Sequence, residues 1–166
     1  DFRFYSDGEL KLALPKTSDL QKRFTDAFSY GTKKDLFYTI ENATSDKSWS
    51  YKLIIGDPDI SRPDRKEISI FVNNRKINEY SLVQAIEYGT HPVACLFVTM
   101  DPSLVDFNIH PAKREARFKD TAELHHSVSS STQNFFKNNA VKSLNTSRDS
   151  SYYENSFSSD FFESSV

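Results

Sequence analysis

Residues 106–118 place the tightest constraint on how this chain can fold. Over residues 106–110 polar and apolar side chains alternate, which predicts a strand with Phe107 on its apolar face. Pro111 follows directly, and a proline lacks the N–H that a sheet ladder needs. The chain must therefore leave a sheet there, with Lys113 on an exposed turn. That position leaves two interpretations open, a solvated surface lysine or a cation that reaches a phosphate of a neighbouring body.

The rest of the chain has the pattern of an α+β domain, with one sheet and helices on one of its faces. Apolar periodicity predicts strands and helices in the order ββαβββαββα. The predicted strands are 2–5, 9–14, 36–41, 50–55, 67–73, 93–100 and 106–110, and the predicted helices are 19–29, 80–88 and 121–139. Asp7-Gly8 predicts a hairpin turn, and Asn74 fits another because asparagine tolerates positive φ.

Composition tells more about the cellular environment of the protein than about its function. The formal net charge is −2, so any basic surface must be local. The single cysteine, Cys95, lies in the apolar run 93–98 and is interpreted as core packing. No apolar run is long enough to cross a membrane, and we expect a reduced, intracellular setting. The strand-like pattern at residue 2 leads us to expect a piece of a longer protein.

The chain divides into two parts by composition. Residues 1–139 form the predicted domain, and residues 140–166 are rich in serine and predict the start of a disordered linker. The aromatic residues of this tail leave a packing segment and a partner-binding peptide as alternatives.

Two stretches carry a resemblance to a known family. Residues 106–118 resemble Asp-Val-Asn-Val-His-Pro-Ala-Lys-x-Glu-Val-Arg-Phe of the MutL family of DNA mismatch repair proteins. The matching residues are Asp106, Asn108, His110, Pro111, Ala112, Lys113, Glu115, Arg117 and Phe118. Residues 71–75 resemble the Phe-Val-Asn-Gly-Arg of the same family, with Asn74 in place of glycine. The resemblance covers about residues 2–138.

The resemblance implies a fold that periodicity does not reveal. It is the second, transducer-like domain found in MutL and gyrase B, which is similar to domain two of ribosomal protein S-five. That fold has a mixed sheet, helices packed on one face and a left-handed βαβ crossover, an exception to the usual right-handed rule.

The resemblance also implies a role for the proline-lysine turn. In MutL proteins this domain follows a GHKL-type ATPase domain that holds ATP and Mg. The lysine matched by Lys113 reaches the γ-phosphate, and Asn108, His110 and Pro111 are expected to present it. This chain has no Gly-x-Gly sequence, so we expect the fragment alone neither to bind nor to hydrolyse ATP, whereas the full-length protein is expected to be an ATPase.

DNA bound without sequence specificity is the second implied ligand. The candidate phosphate-binding residues are Arg62, Arg65, Lys66, Arg75, Lys76, Arg114 and Arg117. Solvated basic faces are the competing interpretation. The family further implies a second MutL protomer in an ATP-dependent dimer, MutS as a partner, and a bacterial cytoplasmic location at the nucleoid. The four histidines lack the spacing and partners of a metal site.

Two other functions compete with this interpretation. One is the corresponding domain of a type II topoisomerase B subunit, which the form of the 106–118 stretch disfavours. The other is a stand-alone nucleic-acid-binding module of ribosomal-protein-like fold, which tight and salt-sensitive RNA binding would support.

Overall fold

The structure, a computed structural model, describes residues 1–28, 35–108 and 115–157, with side chains described as far as residue 140. Its strands are β1 (Phe2–Ser6), β2 (Glu9–Leu14), β3 (Phe37–Ala43), β4 (Trp49–Gly56), β5 (Ile68–Val72), β6 (Arg75–Ile77), β7 (Ala94–Met100), β8 (Val105–Asp106) and β9 (Arg117–Phe118). Its helices are α1 (Leu20–Ala27), α2 (Tyr80–Ile86) and α3 (Ala122–Phe157). In this part of the chain, no helix is long and apolar enough to span a bilayer.

Five strands form the central sheet, in the order β3-β4-β7-β5-β6. Only β5 and β7 run parallel, and the other neighbours are antiparallel, so the predicted mixed sheet of an α+β fold is confirmed. The prediction of a single sheet is wrong in one respect. In the described residues, β1 pairs only with β2 and β8 only with β9, so these two pairs form separate two-stranded sheets.

The two faces of the central sheet are covered by different helices. Leu53 and Leu96 belong to the main core, which also takes in residues of α2 and α3. Phe24 of α1 packs instead with Ile54 and Cys95, whose side chains point to the opposite face. The predicted packing on one face therefore holds for α2 and α3 but not for α1. The reason is that β4 and β7 are apolar on both faces, so each face needs a cover.

Both predicted hairpin turns have the backbone that their sequences favour. Asp7 and Gly8 have φ values of 54° and 79°, and Asn73 and Asn74 have φ values of 47° and 64°. Positive φ at both central residues is the requirement of a type I′ turn, which matches the right-handed twist of the flanking strands. The second turn leads into β6, which lies where the sequence predicted the chain to continue after the turn.

The helix α3 is longer than predicted and is anchored by an unexpected partner. It was predicted to end near Asn139, but it continues to Phe157 and so crosses the predicted domain boundary at residue 140. The division at that residue stays a prediction.

The serines of α3 are poor helix formers. The helix is nevertheless bonded to β4, since the hydroxyl of Tyr51 lies 2.9 Å from Ser131 Oγ and donates to the Ser127 carbonyl at 3.2 Å. Packing and these bonds compensate for low propensity.

The hairpin β1-β2 exposes apolar side chains that a protein surface usually covers. Phe2, Phe4, Tyr5 and Leu10 are each between 51% and 55% exposed. A two-stranded hairpin is at best marginally stable without a face packed on other structure. In the described residues only Leu14 of this hairpin is buried.

The buried thiol gives a prediction about stability at high pH. Burial raises the pKa of Cys95 from 9.0 to about 12, with the nearby charge of Lys76 opposing the shift. The unfolded thiol ionises near pH 9, so this contribution to stability is complete below pH 9 and is lost as the pH rises towards 12. The free energy of unfolding should fall by at most about 1.4 kcal/mol per pH unit in that range.

The measurement compares urea unfolding of the native chain and Cys95→Ala between pH 8 and pH 11 (roughly one to two units either side of the free thiol). The variant should be less stable at pH 8 because of the cavity, and the difference should shrink as the pH rises. A difference that stays constant would contradict a protonated, buried thiol.

Candidate functional site

Part of the predicted phosphate-contacting segment lies outside the described residues. His110, Pro111, Lys113 and Arg114 all belong to residues 109–114, so their assigned roles stay predictions. Asn108 is described, as are the residues that bracket the segment on its other side.

The strand that leads into this segment is shorter than predicted. β8 ends at Asp106, whereas the alternation predicted a strand as far as His110. The reason is local, because Asp106 Oδ1 accepts the backbone N–H of Asn108 at 2.8 Å and so turns the chain out of the ladder. The predicted alternation of burial survives over these residues, since Phe107 is partly buried and Asn108 is exposed.

The residues on both sides of the segment are fixed to the body of the domain. β8 pairs with β9, with Asp106 opposite Arg117, and the Lys119 N–H donates to the Leu104 carbonyl at 3.0 Å. The guanidinium carbon of Arg75 lies 5.1 Å from the centre of the Phe107 ring, a cation–π contact. The described ends of the segment are therefore held by β9 and by β6.

Asn73, in the first family-like stretch, is bonded to the end of β7. Its side-chain nitrogen donates to the Met100 carbonyl at 3.0 Å, and its side-chain oxygen accepts the Met100 N–H at 2.9 Å. The Asn73 N–H also donates to the Val98 carbonyl at 2.9 Å. We call this set of bonds the Asn73 clamp. Sequence reasoning missed it, although an asparagine at the first position of a type I′ turn was the available signal.

The candidate phosphate-binding residues between positions 62 and 76 lie at two separate places around β5. Arg65 and Lys66 precede β5, whereas Arg75 and Lys76 lie on β6 beside the other end of β5. Arg75 and Lys76 also point to opposite faces, because consecutive side chains on a strand alternate. The structure therefore does not bring these charges together.

Arg65 already has partners within the domain. Its Nε lies 2.6 Å from Glu87 Oε1, its Nη1 donates to the Tyr80 hydroxyl at 2.7 Å, and its charge lies 5.0 Å from the centre of that ring. These bonds, first to Tyr80 and then to Glu87, raise the pKa of Arg65. The same oxygen of Glu87 lies 2.9 Å from His91 Nδ1. Arg65 therefore braces α2 against the loop before β5.

The neighbours of Arg65 are also engaged. Lys66 Nζ lies 2.9 Å from Asp64 Oδ2, and this hydrogen bond raises the pKa of Lys66 and lowers that of Asp64. The Arg62 N–H donates to the His91 carbonyl at 2.8 Å, in an isolated antiparallel bridge. The backbone of Arg62 and the side chains of Arg65 and Lys66 thus make bonds within this loop and its neighbours. To bind a phosphate, Arg65 would have to leave Glu87 and Lys66 would have to leave Asp64.

A recess of about 460 Å³ lies against residues 102–106 and 117–119, beside the described ends of the segment. Arg117 and Lys119 contribute positive charge to its lining, and Asp106 contributes negative charge. Next to the lining residue Ser103, the pKa of Asp101 is lowered, chiefly because its carboxylate accepts the Ser103 backbone N–H. In the part of the chain that the structure describes, no group of three or more His, Cys, Asp or Glu side chains could hold a metal ion.

Comparison with known sequences gives consistent matches. The sequence profile of the family described as "DNA mismatch repair protein, C-terminal domain" matches residues 28–137. The DNA mismatch repair protein MutL of Treponema pallidum is 39% identical over 145 residues, which is 82% of this chain and 23% of that protein. MutL of Geobacillus kaustophilus is 33% identical over 144 residues, 82% of this chain and 22% of its own length. The chain thus spans less than a quarter of these relatives.

Comparison with solved structures supports the fold. A crystal structure titled as the N-terminal domain of a DNA repair protein superposes with a TM-score of 0.61. The superposition covers 80% of this chain and 45% of the other chain, at 14% sequence identity, so the likeness concerns the fold alone.

The Asn73 clamp gives a prediction that needs no ligand. Asn73→Gly keeps the positive φ accessible but removes both side-chain bonds to Met100, leaving a backbone N–H and C=O unpaired. The free energy of unfolding should fall by about 1–3 kcal/mol. Asn74→Gly is the matched control, since it changes the same turn without touching the clamp and should shift stability by less than about 0.5 kcal/mol. Urea denaturation of both variants is the measurement, and equal effects would contradict a structural role for the Asn73 side chain.

Proposed function

The chain belongs to the MutL family of DNA mismatch repair proteins, and from this premise we propose that it is the transducer-like domain that completes an ATP site through Lys113. The observation that supports this most directly is the anchoring of the residues around the 106–118 stretch. Its described flanks are held by β9 and by the Arg75–Phe107 contact at one end of the sheet. Membership of this family also disfavours the topoisomerase and ribosomal-protein-like alternatives.

A lysine suits the proposed chemistry because phosphoryl transfer depends on positioned positive charge rather than on covalent steps. Charge spreads over the γ-phosphoryl oxygens in the transition state, and a cation held near them lowers the barrier. Asn108, His110 and Pro111 would restrict the approach of Lys113, and the fixed flanks reduce the ordering cost of that approach. ATP and Mg would be held mainly by an upstream GHKL-type ATPase domain, where Mg neutralises phosphate charge.

The exposed side of the β1-β2 hairpin is the surface that we assign to the upstream ATPase domain. Phe2, Phe4, Tyr5 and Leu10 form an apolar group that a folded monomer rarely leaves in water. The relatives are more than four times as long as the matched region, so further domains belong to the same polypeptide in those proteins. Packing on such a domain would bury this group and stabilise the hairpin.

The remaining proposals concern the assembled protein. We assign non-specific DNA contacts to Arg75, Arg114 and Arg117, with Arg62 and Lys66 as further candidates, whereas Arg65 is assigned mainly to the fold because its guanidinium is bound to Glu87 and Tyr80. Nucleotide state would be coupled to dimerisation with a second MutL protomer and to work with MutS, in the bacterial cytoplasm at the nucleoid.

The proposal is tested by single-turnover ATP hydrolysis of the full-length native protein and its Lys113→Met variant. Removing the cation should lower the hydrolysis rate about 10²-fold, with little change in nucleotide affinity, because the contact is strongest in the transition state. Lys137→Met, which removes an exposed lysine of α3, is the control, and its rate should match that of the native protein. Unchanged hydrolysis in Lys113→Met would sink the proposed role while leaving the family membership in place.

The assignment of DNA contacts is tested by the salt dependence of duplex binding. Each phosphate contact adds about 0.9 to the slope of log K against log salt concentration. Arg75→Gln should reduce that slope by about 1, whereas Arg65→Gln should leave it unchanged because Arg65 is bound to Glu87 and Tyr80. Fluorescence anisotropy with a labelled duplex gives both slopes. Equal reductions would show that the internal partners of Arg65 do not decide its role.

A further inference from the structure

One contact at the start of residues 109–114 is not encoded by the family-like motif. The guanidinium carbon of Arg75 lies 5.1 Å from the centre of the Phe107 ring, a distance at which a cation is attracted to the negative face of an aromatic ring. At position 107 the family sequence given above has valine, which has no ring. The cation–π contact therefore belongs to this chain rather than to the motif.

Phe107 is held on two sides. Its side chain is partly buried and packs against the main core, while the charge of Arg75 on β6 lies over its ring. The position of Arg75 is itself defined, because β6 pairs with β5 and follows the type I′ turn at Asn73-Asn74. Phe107 is thus joined both to the core and to the edge of the central sheet.

The chain on the other side of Lys113 is fixed in a similar way. Ala116 and Phe118 pack against the same core, and β9 pairs with β8. Lys113 is six residues after Phe107 and three before Ala116. A chain extends at most about 3.5 Å per residue, so these two anchors confine the Cα atom of Lys113 to within about 21 Å of the first and about 10 Å of the second. Loosening Phe107 would remove the first of these limits.

We propose that Phe107 is a positioning residue for Lys113, and that the charge of Arg75 holds the Phe107 ring in place. This inference rests on the proposed function, and it adds a residue to those that the motif assigns to presenting the lysine. A cation stabilises a transition state only when it is held where charge develops, and a displacement of about 1 Å can lower a rate about 10²-fold. Phe107 acts through the backbone that leads to Lys113, not by touching the nucleotide.

A second contact of the same kind supplies the control. The guanidinium carbon of Arg65 lies 5.0 Å from the centre of the Tyr80 ring, almost the distance found in the Arg75–Phe107 pair. Arg65 lies in the loop before β5, whereas Arg75 follows the turn after β5, so the two pairs are at opposite ends of this strand. Loss of the Tyr80 ring should therefore leave ATP hydrolysis unchanged.

The test is single-turnover ATP hydrolysis by the full-length protein in the absence of DNA, with nucleotide affinity measured separately by titration of a non-hydrolysable ATP analogue. Phe107→Leu keeps an apolar side chain but removes the ring, and it should lower the rate about 3- to 30-fold with little change in nucleotide affinity. Phe107→Tyr keeps the ring and should hydrolyse ATP within about 2-fold of the native rate. Tyr80→Leu is the matched control and should keep the native rate.

A double-mutant cycle shows whether Arg75 and Phe107 act through one contact. Arg75→Gln alone should lower the rate by a factor similar to that of Phe107→Leu. The double variant should be no slower than the slower single variant, because both changes break the same contact. Urea unfolding of each variant gives its stability, and a merely structural role would lower stability without changing the hydrolysis rate of the folded protein.

Lys113→Met, measured in parallel, separates the two ways of failing. If it lowers the rate as expected and Phe107→Leu does not, the positioning role is overturned and the proposed function stands. Unchanged hydrolysis in Lys113→Met overturns the proposed function and this inference with it. The inference is also overturned by an equal loss in Tyr80→Leu, by a Phe107→Tyr rate as low as that of Phe107→Leu, or by independent, multiplying effects in the double variant.

Discussion

The parallel pairing of β5 with β7 is the constraint on which the rest of the structure depends. Two parallel neighbours end at the same edge of a sheet, so the turn after β5 and the chain after β7 must meet. Residues 71–75 and residues 101–108 are therefore brought together although β6 and α2 lie between them in sequence. The Asn73 clamp then joins the turn after β5 to the backbone of Met100, the last residue of β7. Arg75 extends this connection to Phe107, at the start of the segment that carries the proposed function.

Sequence patterns predicted those features that are encoded locally. The two type I′ turns follow from Asp7-Gly8 and Asn73-Asn74, and the burial of Cys95 follows from the apolar run 93–98. Features that depend on distant partners were missed. The end of β8 depends on the Asp106 carboxylate, the position of α1 depends on a face of the sheet, and the persistence of α3 depends on Tyr51. The continuous apolar run Leu53-Ile54-Ile55 was the available sign that both faces are covered, since each of these residues is 0% exposed.

Basic residues that are close in sequence do not necessarily form one basic surface. Five basic residues between Arg62 and Lys76 suggest one patch, but the fold assigns them three different environments. Arg65 is bound to Glu87 and Tyr80, so its charge is largely satisfied within the loop before β5, whereas the Lys66–Asp64 pair is exposed, with 85% and 47% of the two side chains accessible. Arg75 and Lys76 are neighbours in sequence, yet strand alternation turns them to opposite faces. The family resemblance supplied the ligand class, whereas only the paired strands could show which cations remain available to it.

The strand β6 contributes side chains to both faces of the central sheet, with Arg75 on the face of Phe107 and Lys76 on the face of Phe71. It is three residues long and lies at the edge of the central sheet, where it pairs only with β5. Its position therefore depends on the turn at Asn73-Asn74 and on the bonds that Asn73 makes to Met100. A shift of this hairpin would carry Arg75 away from Phe107 and Lys76 away from Phe71 together, because both residues are on one short strand. A single side chain on either face can be replaced without such a shift, so the two faces are chemically separate but are positioned together through Asn73.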